Sequence, residues 1–331
     1  MHSKHLIRNW IILLITVFFL GLMVGFSYWN SLQLPADPKG EEQRFIVNKG
    51  EGTSSIASRL EKEGLIKSAL AFKLKVRKKK SYKVEPGEYK LSPSMNLSEV
   101  MEGLNQGPNE RWVTLIEGWR VEEMARRLNS DLGIDYDQFV KVAKPFEGYL
   151  FPDTYLINPE ATPETIVTLL RNTFKARYTE DLQQKIEAKG LTPEESVILA
   201  SLVEREARSD EVRTKVASII LKRLKMGMKL DIDATVRFAK DSADLQRGKT
   251  IEKFWLAITR DDYSDVKSPF NTYLTLGLPP SPICNPSLSS LKAVANADPS
   301  IPYLYYYHDS KGNTYFAKTL DEHNSNVARY R

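Results

Sequence analysis

Cysteine and histidine, which commonly build disulfides, metal sites and nucleophilic active sites, are rare in this sequence. Its 331 residues include one cysteine and four histidines. The lone Cys284 has no partner for an internal disulfide, and we expect a small buried or loop residue rather than a nucleophile paired with His323. The other histidines, His2, His5 and His308, do not complete a metal-ligand spacing. The sequence therefore predicts no disulfide framework, no metal ion and no other cofactor.

Charged residues are missing from one long segment near the N-terminus. Residues 10–29, WIILLITVFFLGLMVGFSYW, would span about 30 Å as a helix, which matches the hydrocarbon core of a bilayer. Lys4 and Arg8 precede this segment, so the positive-inside rule places the N-terminus in the cytoplasm and the remainder outside it. We predict a single-pass protein of the cytoplasmic membrane. A cleaved signal peptide is the alternative, favoured by small residues near the end of the segment.

The overall charge is positive, with a formal net charge of +5 and a pI near 9.0. Such a charge suits an anionic partner. Because the predicted topology places most of the chain outside the cytoplasm, we do not expect that partner to be nucleic acid. Residues 67–83, KSALAFKLKVRKKKSYK, concentrate the positive charge. They are interpreted first as a solvated face, with anionic lipid or an anionic wall polymer within reach.

Hydrophobic periodicity and turn residues predict an α+β protein. The expected segments are a cytoplasmic N-terminus at 1–9, a transmembrane anchor at 10–29, a polar tether at 30–43, a small module at 44–108 and a larger catalytic domain at 109–331. The module should contain a strand, two helices and a strand, followed by a helix that begins at Asn96 or Ser98 and ends at Gly107. This order resembles LysM-type glycan-binding modules. A purely structural spacer is the alternative.

The stretch LTPEESVILASLVEREARSD predicts a helix that is buried on nearly every side. Thr192 as N-cap, Pro193 at the first helical position and Glu195 in the capping-box position mark its start. The run VILASLV that follows is apolar around most of the helix axis. Charged side chains are costly to bury and usually need a partner or a function, yet this helix ends in Glu204 and Glu206.

Glu204 is the candidate acid of this helix. At about 100° per residue, its side chain should lie beside small side chains, Ser201 among them, while Glu206 points to roughly the opposite side. Desolvation in such a place raises the pKa of a carboxyl, which can then hold a proton near neutral pH as a general acid must. The alternative is an ion pair between Glu204 and an arginine at the helix end, such as Arg208 or Arg223.

Five motifs in a fixed order point to a family. They are EGYLFPDTY (147–155), ILASLVERE (198–206), KVASIILKRLKMGMKLDID (215–233), FNTYLTLGLPPSPICNP (270–286) and EHNSNV (322–327). With the anchor and the LysM-like module, the chain resembles the endolytic murein transglycosylases, the MltG or YceG-like family, over essentially its whole length. The resemblance implies a lyase that cleaves MurNAc-β-1,4-GlcNAc bonds inside peptidoglycan strands, leaves 1,6-anhydroMurNAc ends and terminates nascent strands. It also implies penicillin-binding synthases as partners.

The resemblance further implies roles for individual residues. Glu204 corresponds to the catalytic glutamate, which protonates the glycosidic oxygen and then removes the proton from the C6 hydroxyl of the same muramoyl sugar. One carboxyl suffices because the intramolecular hydroxyl replaces the second carboxylate of an ordinary glycosidase. The substrate-binding candidates are Ser201, Asp233, Asn271, Tyr273, Glu147 and Asp153. Most of them have a structural alternative as a turn, loop or packing residue.

Three positions depart from the family pattern. Ala234 stands where members commonly have proline, Ser281 where they have glycine, and Thr314 where they have the histidine of a C-terminal Gly-x-His-x-Phe pattern. The strand predicted at PYLYYYH (302–308) is expected to pack its tyrosines in the core. Two other functions stay open, namely a noncatalytic scaffold that binds the cell wall and a muramidase that uses water.

Overall fold

The computed structural model describes residues 2–79 and 81–330, so Met1, Lys80 and Arg331 lie outside the described residues. The helices are α1 (His2–Ser31), α2 (Thr53–Lys62), α3 (Ala69–Lys78), α4 (Leu97–Gln106), α5 (Val121–Leu132), α6 (Tyr136–Ala143), α7 (Pro163–Arg177), α8 (Glu180–Glu187), α9 (Pro193–Glu206), α10 (Asp210–Lys225), α11 (Asp233–Gln246), α12 (Asp262–Asp265), α13 (Leu288–Ala295) and α14 (Leu320–Tyr330), with a 3₁₀ turn at Lys144–Phe146. The strands are β1 (Gln43–Val47), β2 (Gly87–Leu91), β3 (Glu110–Thr114), β4 (Thr154–Ile157), β5 (Tyr305–His308) and β6 (Thr314–Ala317). The predicted α+β class is confirmed.

The chain folds into two compact units. Unit 1 comprises Met1–Trp112 and Leu156–Pro159, and unit 2 comprises Val113–Tyr155 and Glu160–Arg331. A four-stranded sheet has the order β1-β2-β3-β4, and β2 pairs antiparallel with both β1 and β3. The chain passes from one unit to the other within β3 and within β4. In unit 2, β5 and β6 form a separate antiparallel hairpin.

Unit 1 has the predicted order of strand, helix, helix, strand and helix. Its core is built from apolar residues of β1, α2, α3, β2 and α4, among them the fully buried Phe45, Phe72 and Tyr89. The capping box of α4 pairs Asn96 with the third residue of the helix, Glu99, as an N-terminal start signal requires. The element order is therefore as expected, while the LysM-type identity of this unit stays a prediction.

The structure adds detail to the predicted anchor and to the segment that follows it. The apolar helix extends two residues past the predicted span, and residues 12–31 are long and apolar enough to cross a membrane, as those of a signal sequence also are. The side chains of Lys4 and Arg8, on which the predicted orientation depends, lie outside the described ones. The segment predicted as a tether, 30–43, makes backbone hydrogen bonds to the module: Leu97 N donates to Gln33 O and Asp37 N donates to Pro93 O, at 3.0 Å each.

Helix α9 runs through the hydrophobic core of unit 2. All residues from Ser196 to Val203 are buried, and the main core cluster packs them against apolar residues of α8, α10, α11 and α13. The predicted start is confirmed, since the side chains of Thr192 and Glu195 form the reciprocal capping box. Cys284 is fully buried as predicted, and its thiol donates to the carbonyl of Ser201 at 3.3 Å.

A fully buried arginine joins α5 to α11. The Arg120 guanidinium pairs with Glu122 at 3.1 Å and with Asp241 at 3.7 Å, and it lies over the ring of Phe238 at 4.2 Å. Removing one partner of such a buried cluster leaves the other charges without compensation.

We expect Arg120→Ala to lower the free energy of unfolding by about 3–5 kcal/mol. The control is Arg127→Ala, which removes a surface pair with Asp131 from the same helix and should cost less than about 0.5 kcal/mol. Urea unfolding of the full chain, followed by tryptophan fluorescence, measures both. Equal losses for the two variants would contradict the structural role of Arg120.

Candidate active site

The Glu204 carboxylate is held by donors from two neighbouring helices. Its Oε1 accepts from Arg213 Nη2 of α10 at 3.0 Å. Its Oε2 accepts from the Ser287 backbone N at 2.8 Å, from the Ser287 hydroxyl and from Ser290 Oγ at 2.7 Å. Ser287 is the N-cap of α13, so the carboxylate also lies where the helix dipole favours negative charge. Only 5% of the Glu204 side chain is exposed.

These surroundings differ from the expected ones. The sequence predicted small side chains beside Glu204, and in the structure four hydrogen-bond donors surround its carboxylate. The alternative prediction, an ion pair between Glu204 and an arginine, is confirmed, although the arginine is Arg213 rather than Arg208 or Arg223. Arg223 instead donates to backbone carbonyls, including that of Leu230 at 2.8 Å. Local periodicity could not identify Arg213, since its position depends on how α10 packs against α9.

Glu206, on the other side of the same turn, has the properties expected of a general acid. The residue as a whole is half-buried, its carboxyl group lies on the buried side, and Oε2 accepts one hydrogen bond, from Tyr306 Oη at 3.1 Å. Burial raises the pKa of Glu206 to about 7, and the charge of Asp233 acts in the same direction, while the bond from Tyr306 and the charge of Arg237 oppose it. A group with this pKa holds a proton near neutral pH and can also release it.

Two predicted residues, Asp233 and Tyr273, lie together in the neighbourhood of Glu206. Tyr273 Oη donates to Asp233 Oδ1 at 2.8 Å, and Arg237 lies 3.8 Å from the same carboxylate. The rings of Tyr263 and Tyr273 are in contact, with centroids 4.4 Å apart. Burial, followed by the charge of Asp233, raises the pKa of the Tyr273 hydroxyl, so this group remains a hydrogen-bond donor. The cluster thus combines acidic, hydroxyl and aromatic groups, which are the kinds of group that bind sugars.

Three other predicted residues have structural surroundings. Ser201 is fully buried, and its hydroxyl accepts from Ile283 N at 3.1 Å. Asn271 is fully buried and donates its amide to two carbonyls of the preceding loop, at 3.1 and 2.9 Å. Asp153 lies 3.5 Å from Arg177 and accepts from the next backbone N–H. Their hydrogen bonds hold loops together, and Asn271 alone of the three bonds to a member of the Glu206 cluster, by accepting from Tyr273 N at 3.0 Å.

Glu147 is likewise engaged within the protein. It is buried and accepts from Val121 N at 3.1 Å, from Lys144 Nζ at 2.9 Å and from Asn285 Nδ2 at 3.1 Å. Burial raises the pKa of Glu147 to about 7, against the lowering effect of Lys144. The same Asn285 accepts from two backbone N–H groups of the EGYLF segment, at 2.8 and 3.0 Å. Glu147 and Asn285 therefore fix the loops of unit 2.

A strained tryptophan lies beside the acidic turn. Trp255 has a φ of +64°, which is costly for a residue with a side chain and is common near functional sites. Its ring covers the Arg205 guanidinium at 3.9 Å, and its indole N–H donates to Glu123 at 2.9 Å. Arg205 also donates to the carbonyl of Gly118 at 3.1 Å. Gly118 has a φ of +75°, and a Cβ there would lie 3.2 Å from Arg205 Nη1, so glycine suits this position.

Sequence reasoning missed Glu206, Tyr306 and Trp255. Glu206 carried one usable signal, because it ends a buried helix on the side opposite Glu204. Tyr306 lies in the predicted strand β5 and packs against the core cluster of unit 2, while its hydroxyl contacts the acid. A cavity of about 390 Å³ lies between α8 and α13, lined in part by Leu182 and Lys185, and neither acid lines it.

Similarity to known proteins is extensive. The YceG-like family matches residues 45–329 of the chain. A Bacillus subtilis protein named endolytic murein transglycosylase is 29% identical over 93% of this chain and 91% of its own length. A Streptococcus pneumoniae protein of the same name is 26% identical over 92% of this chain, which spans 62% of that relative.

A crystal structure of a putative yceG-like protein from Listeria monocytogenes is also similar. It is 26% identical, with a TM-score of 0.55, and the match covers 87% of this chain and 99% of the Listeria chain. The resemblance that the five sequence motifs indicated is therefore confirmed. The match over most of its length shows that this chain belongs to the YceG-like family.

Proposed function

We propose that this chain is an endolytic murein transglycosylase that is anchored in the cytoplasmic membrane by α1 and acts outside the cytoplasm. Support comes from the two bacterial relatives of that name and from the half-buried acid at the end of α9. The substrate is the peptidoglycan glycan strand, cut internally at MurNAc-β-1,4-GlcNAc bonds. We further propose that the cut terminates nascent strands beside penicillin-binding synthases.

The proposed chemistry needs one carboxyl group to act twice. In its protonated form, the acid donates a proton to the oxygen that links C1 of MurNAc to GlcNAc, and that bond breaks. The C6 hydroxyl of the same MurNAc then bonds to C1, and the carboxylate accepts the hydroxyl proton. The sugar closes to a 1,6-anhydro ring, and no water is added. Holding the hydroxyl beside C1 supplies the advantage of an intramolecular nucleophile.

The surroundings of the two glutamates favour Glu206 as this acid. Glu204 accepts hydrogen bonds from one guanidinium and from three further donors, and these bonds occupy both of its oxygens. Glu206 accepts one bond and has a pKa of about 7. We therefore propose Glu206 as the proton donor and Glu204 as the residue that positions it. Glu204, predicted from the family resemblance, stays as the alternative acid.

The contacts in the structure also divide the predicted substrate-binding residues into two groups. Asp233 and Tyr273 are retained beside the acid, and Tyr306 is added to them. Ser201, Asn271, Glu147 and Asp153 are retained only as residues that hold the loops around the cleft. A muramidase that uses water is the closest rival, because Asp233 could then serve as the second carboxylate of an ordinary glycosidase.

Product analysis tests the reaction class. Purified murein digested with the full chain should yield anhydromuramoyl ends, which are lighter by one water than the reducing ends of hydrolysis, and mass spectrometry distinguishes the two. Fragments of many sugar units at early times would support internal cutting. Reducing ends would favour the muramidase, and unchanged polymer would favour the noncatalytic scaffold.

Two single substitutions separate the roles of the glutamates. Glu206→Gln removes the proposed proton donor and should lower kcat/KM by about 10²–10⁴. Its melting temperature at pH 8 should be unchanged or higher, because a neutral amide is easier to bury than the ionised carboxyl. Glu204→Gln should destabilise the fold by about 2–3 kcal/mol, because it leaves Arg213 without its charged partner.

Activity assays and thermal unfolding on both variants provide the measurements. The assignment fails if Glu206→Gln retains wild-type turnover. Loss of activity in Glu204→Gln with an unchanged melting temperature would return the acid role to Glu204.

The pH profile tests the coupling between Glu206 and Asp233. Only the protonated acid can start the reaction, so kcat/KM should fall roughly tenfold per pH unit above a pKa near 7. Asp233→Asn removes a negative charge that raises this pKa, and the basic limb should move to lower pH. Asp321→Asn, at an exposed position in α14, is the control and should leave the limb in place. If Asp233→Asn leaves the basic side of the pH profile in place, the result contradicts the coupling between Asp233 and Glu206.

A further inference from the structure

One face of α3 in unit 1 combines leucines with uncompensated positive charge. Leu70, Lys73, Leu74 and Arg77 follow the i, i+3, i+4, i+7 spacing and so share one side of the helix. The two leucines are 63% and 36% exposed, although Ala71 and Phe72 on the opposite side are fully buried. We call this face, extended by Lys78 and Lys79 at the end of the helix, the basic surface.

The charge of the basic surface is not neutralised by the protein. Residues 67–83 contain eight lysines and arginines and no acidic residue. Within residues 2–79 and 81–330, no ion pair involves Lys73, Arg77, Lys78 or Lys79. Burial, and after it the charge of Lys79, lowers the pKa of the neighbouring Lys75, as expected where like charges crowd together.

Helix α3, which carries the basic surface, is connected to the end of α1 by a short series of contacts. On the other side of α3, Lys75 Nζ donates to Ser98 Oγ at 2.8 Å, and the adjacent Leu97 N donates to Gln33 O, two residues beyond α1. Trp29, within the last turn of α1, packs against the unit 1 core. A headgroup layer is about 5–7 Å thick on each side of a bilayer, so a helix held this near to the end of a membrane span is well placed to meet it.

We propose that the basic surface binds the anionic phospholipid headgroups of the leaflet in which α1 ends. This proposal rests on the membrane anchor proposed above. Lys73, Arg77, Lys78 and Lys79 contact the phosphates, and Leu70 and Leu74 enter the boundary between headgroups and acyl chains, as in amphipathic helices that lie along an interface. Unit 1 would then have a fixed orientation on the membrane instead of tumbling at the end of an anchor. An anionic wall polymer is the competing ligand for the same charges.

The test uses the full chain in nanodiscs of phosphatidylcholine alone and of phosphatidylcholine with 30% phosphatidylglycerol. Ser81→Cys, exposed beside the basic surface, carries a fluorescent label, and the native Cys284 is fully buried. We expect iodide quenching of the label to fall about twofold or more with phosphatidylglycerol, and the difference to vanish at high salt, which screens surface charges. The same quenching in both lipids would overturn the proposal.

Two triple variants show whether the charges are responsible. Lys73→Glu, Arg77→Glu and Lys78→Glu together should abolish the lipid difference. The matched control, Lys175→Glu, Lys225→Glu and Lys311→Glu, changes the net charge equally at exposed positions of unit 2 and should preserve it. If both variants lose the lipid difference equally, the result contradicts binding by the basic surface.

Separate readouts distinguish the possible failures. If the chain leaves the nanodiscs at high salt, the anchor itself fails, and this proposal fails with it. If the chain stays and phosphatidylglycerol has no effect, only the headgroup surface is overturned. Protection of the label by soluble poly(glycerol phosphate) in phosphatidylcholine nanodiscs, without protection by phosphatidylglycerol, would assign the surface to a wall polymer instead. Murein cleavage is assayed independently and does not decide any of these outcomes.

Discussion

The candidate site of unit 2 depends on the bonds that the Glu204 carboxylate makes. This one group connects α9 to Arg213 of α10 and to the N-terminus of α13 through Ser287 and Ser290. The rest of α9 is enclosed by apolar residues, so its last turn is held by packing on one side and by these polar bonds on the other. The direction in which Glu206 points follows from both constraints.

Two acids of one helical turn have different surroundings. Donors enclose the Glu204 carboxylate, whereas burial and the charge of Asp233 favour the protonated form of Glu206. The proposed roles of the two glutamates rest on this difference, with Glu206 as the proton donor and Glu204 as the residue that positions it.

The loops around this turn have little regular structure and depend on buried amides for their shape. Asn285 bonds to the EGYLF segment and to Glu147, and Asn271 holds the loop that leads to Tyr273. Such side chains satisfy backbone groups that no helix or strand satisfies. Buried polar residues of the sequence motifs therefore contribute to the shape of these loops.

The sequence by itself determined the elements and the family. Capping residues marked the start of α9, apolar residues around its whole axis predicted its burial, and the order of five motifs indicated the YceG-like family, because these signals are local or linear. Only tertiary structure decided which motif residues meet. Arg213 reaches Glu204 and Tyr306 reaches Glu206 across 9 and 100 residues, respectively. The pKa of Glu206 and the hydrogen bonds of Glu204 both depend on partners from other segments, so residue spacing within α9 could not tell the two glutamates apart.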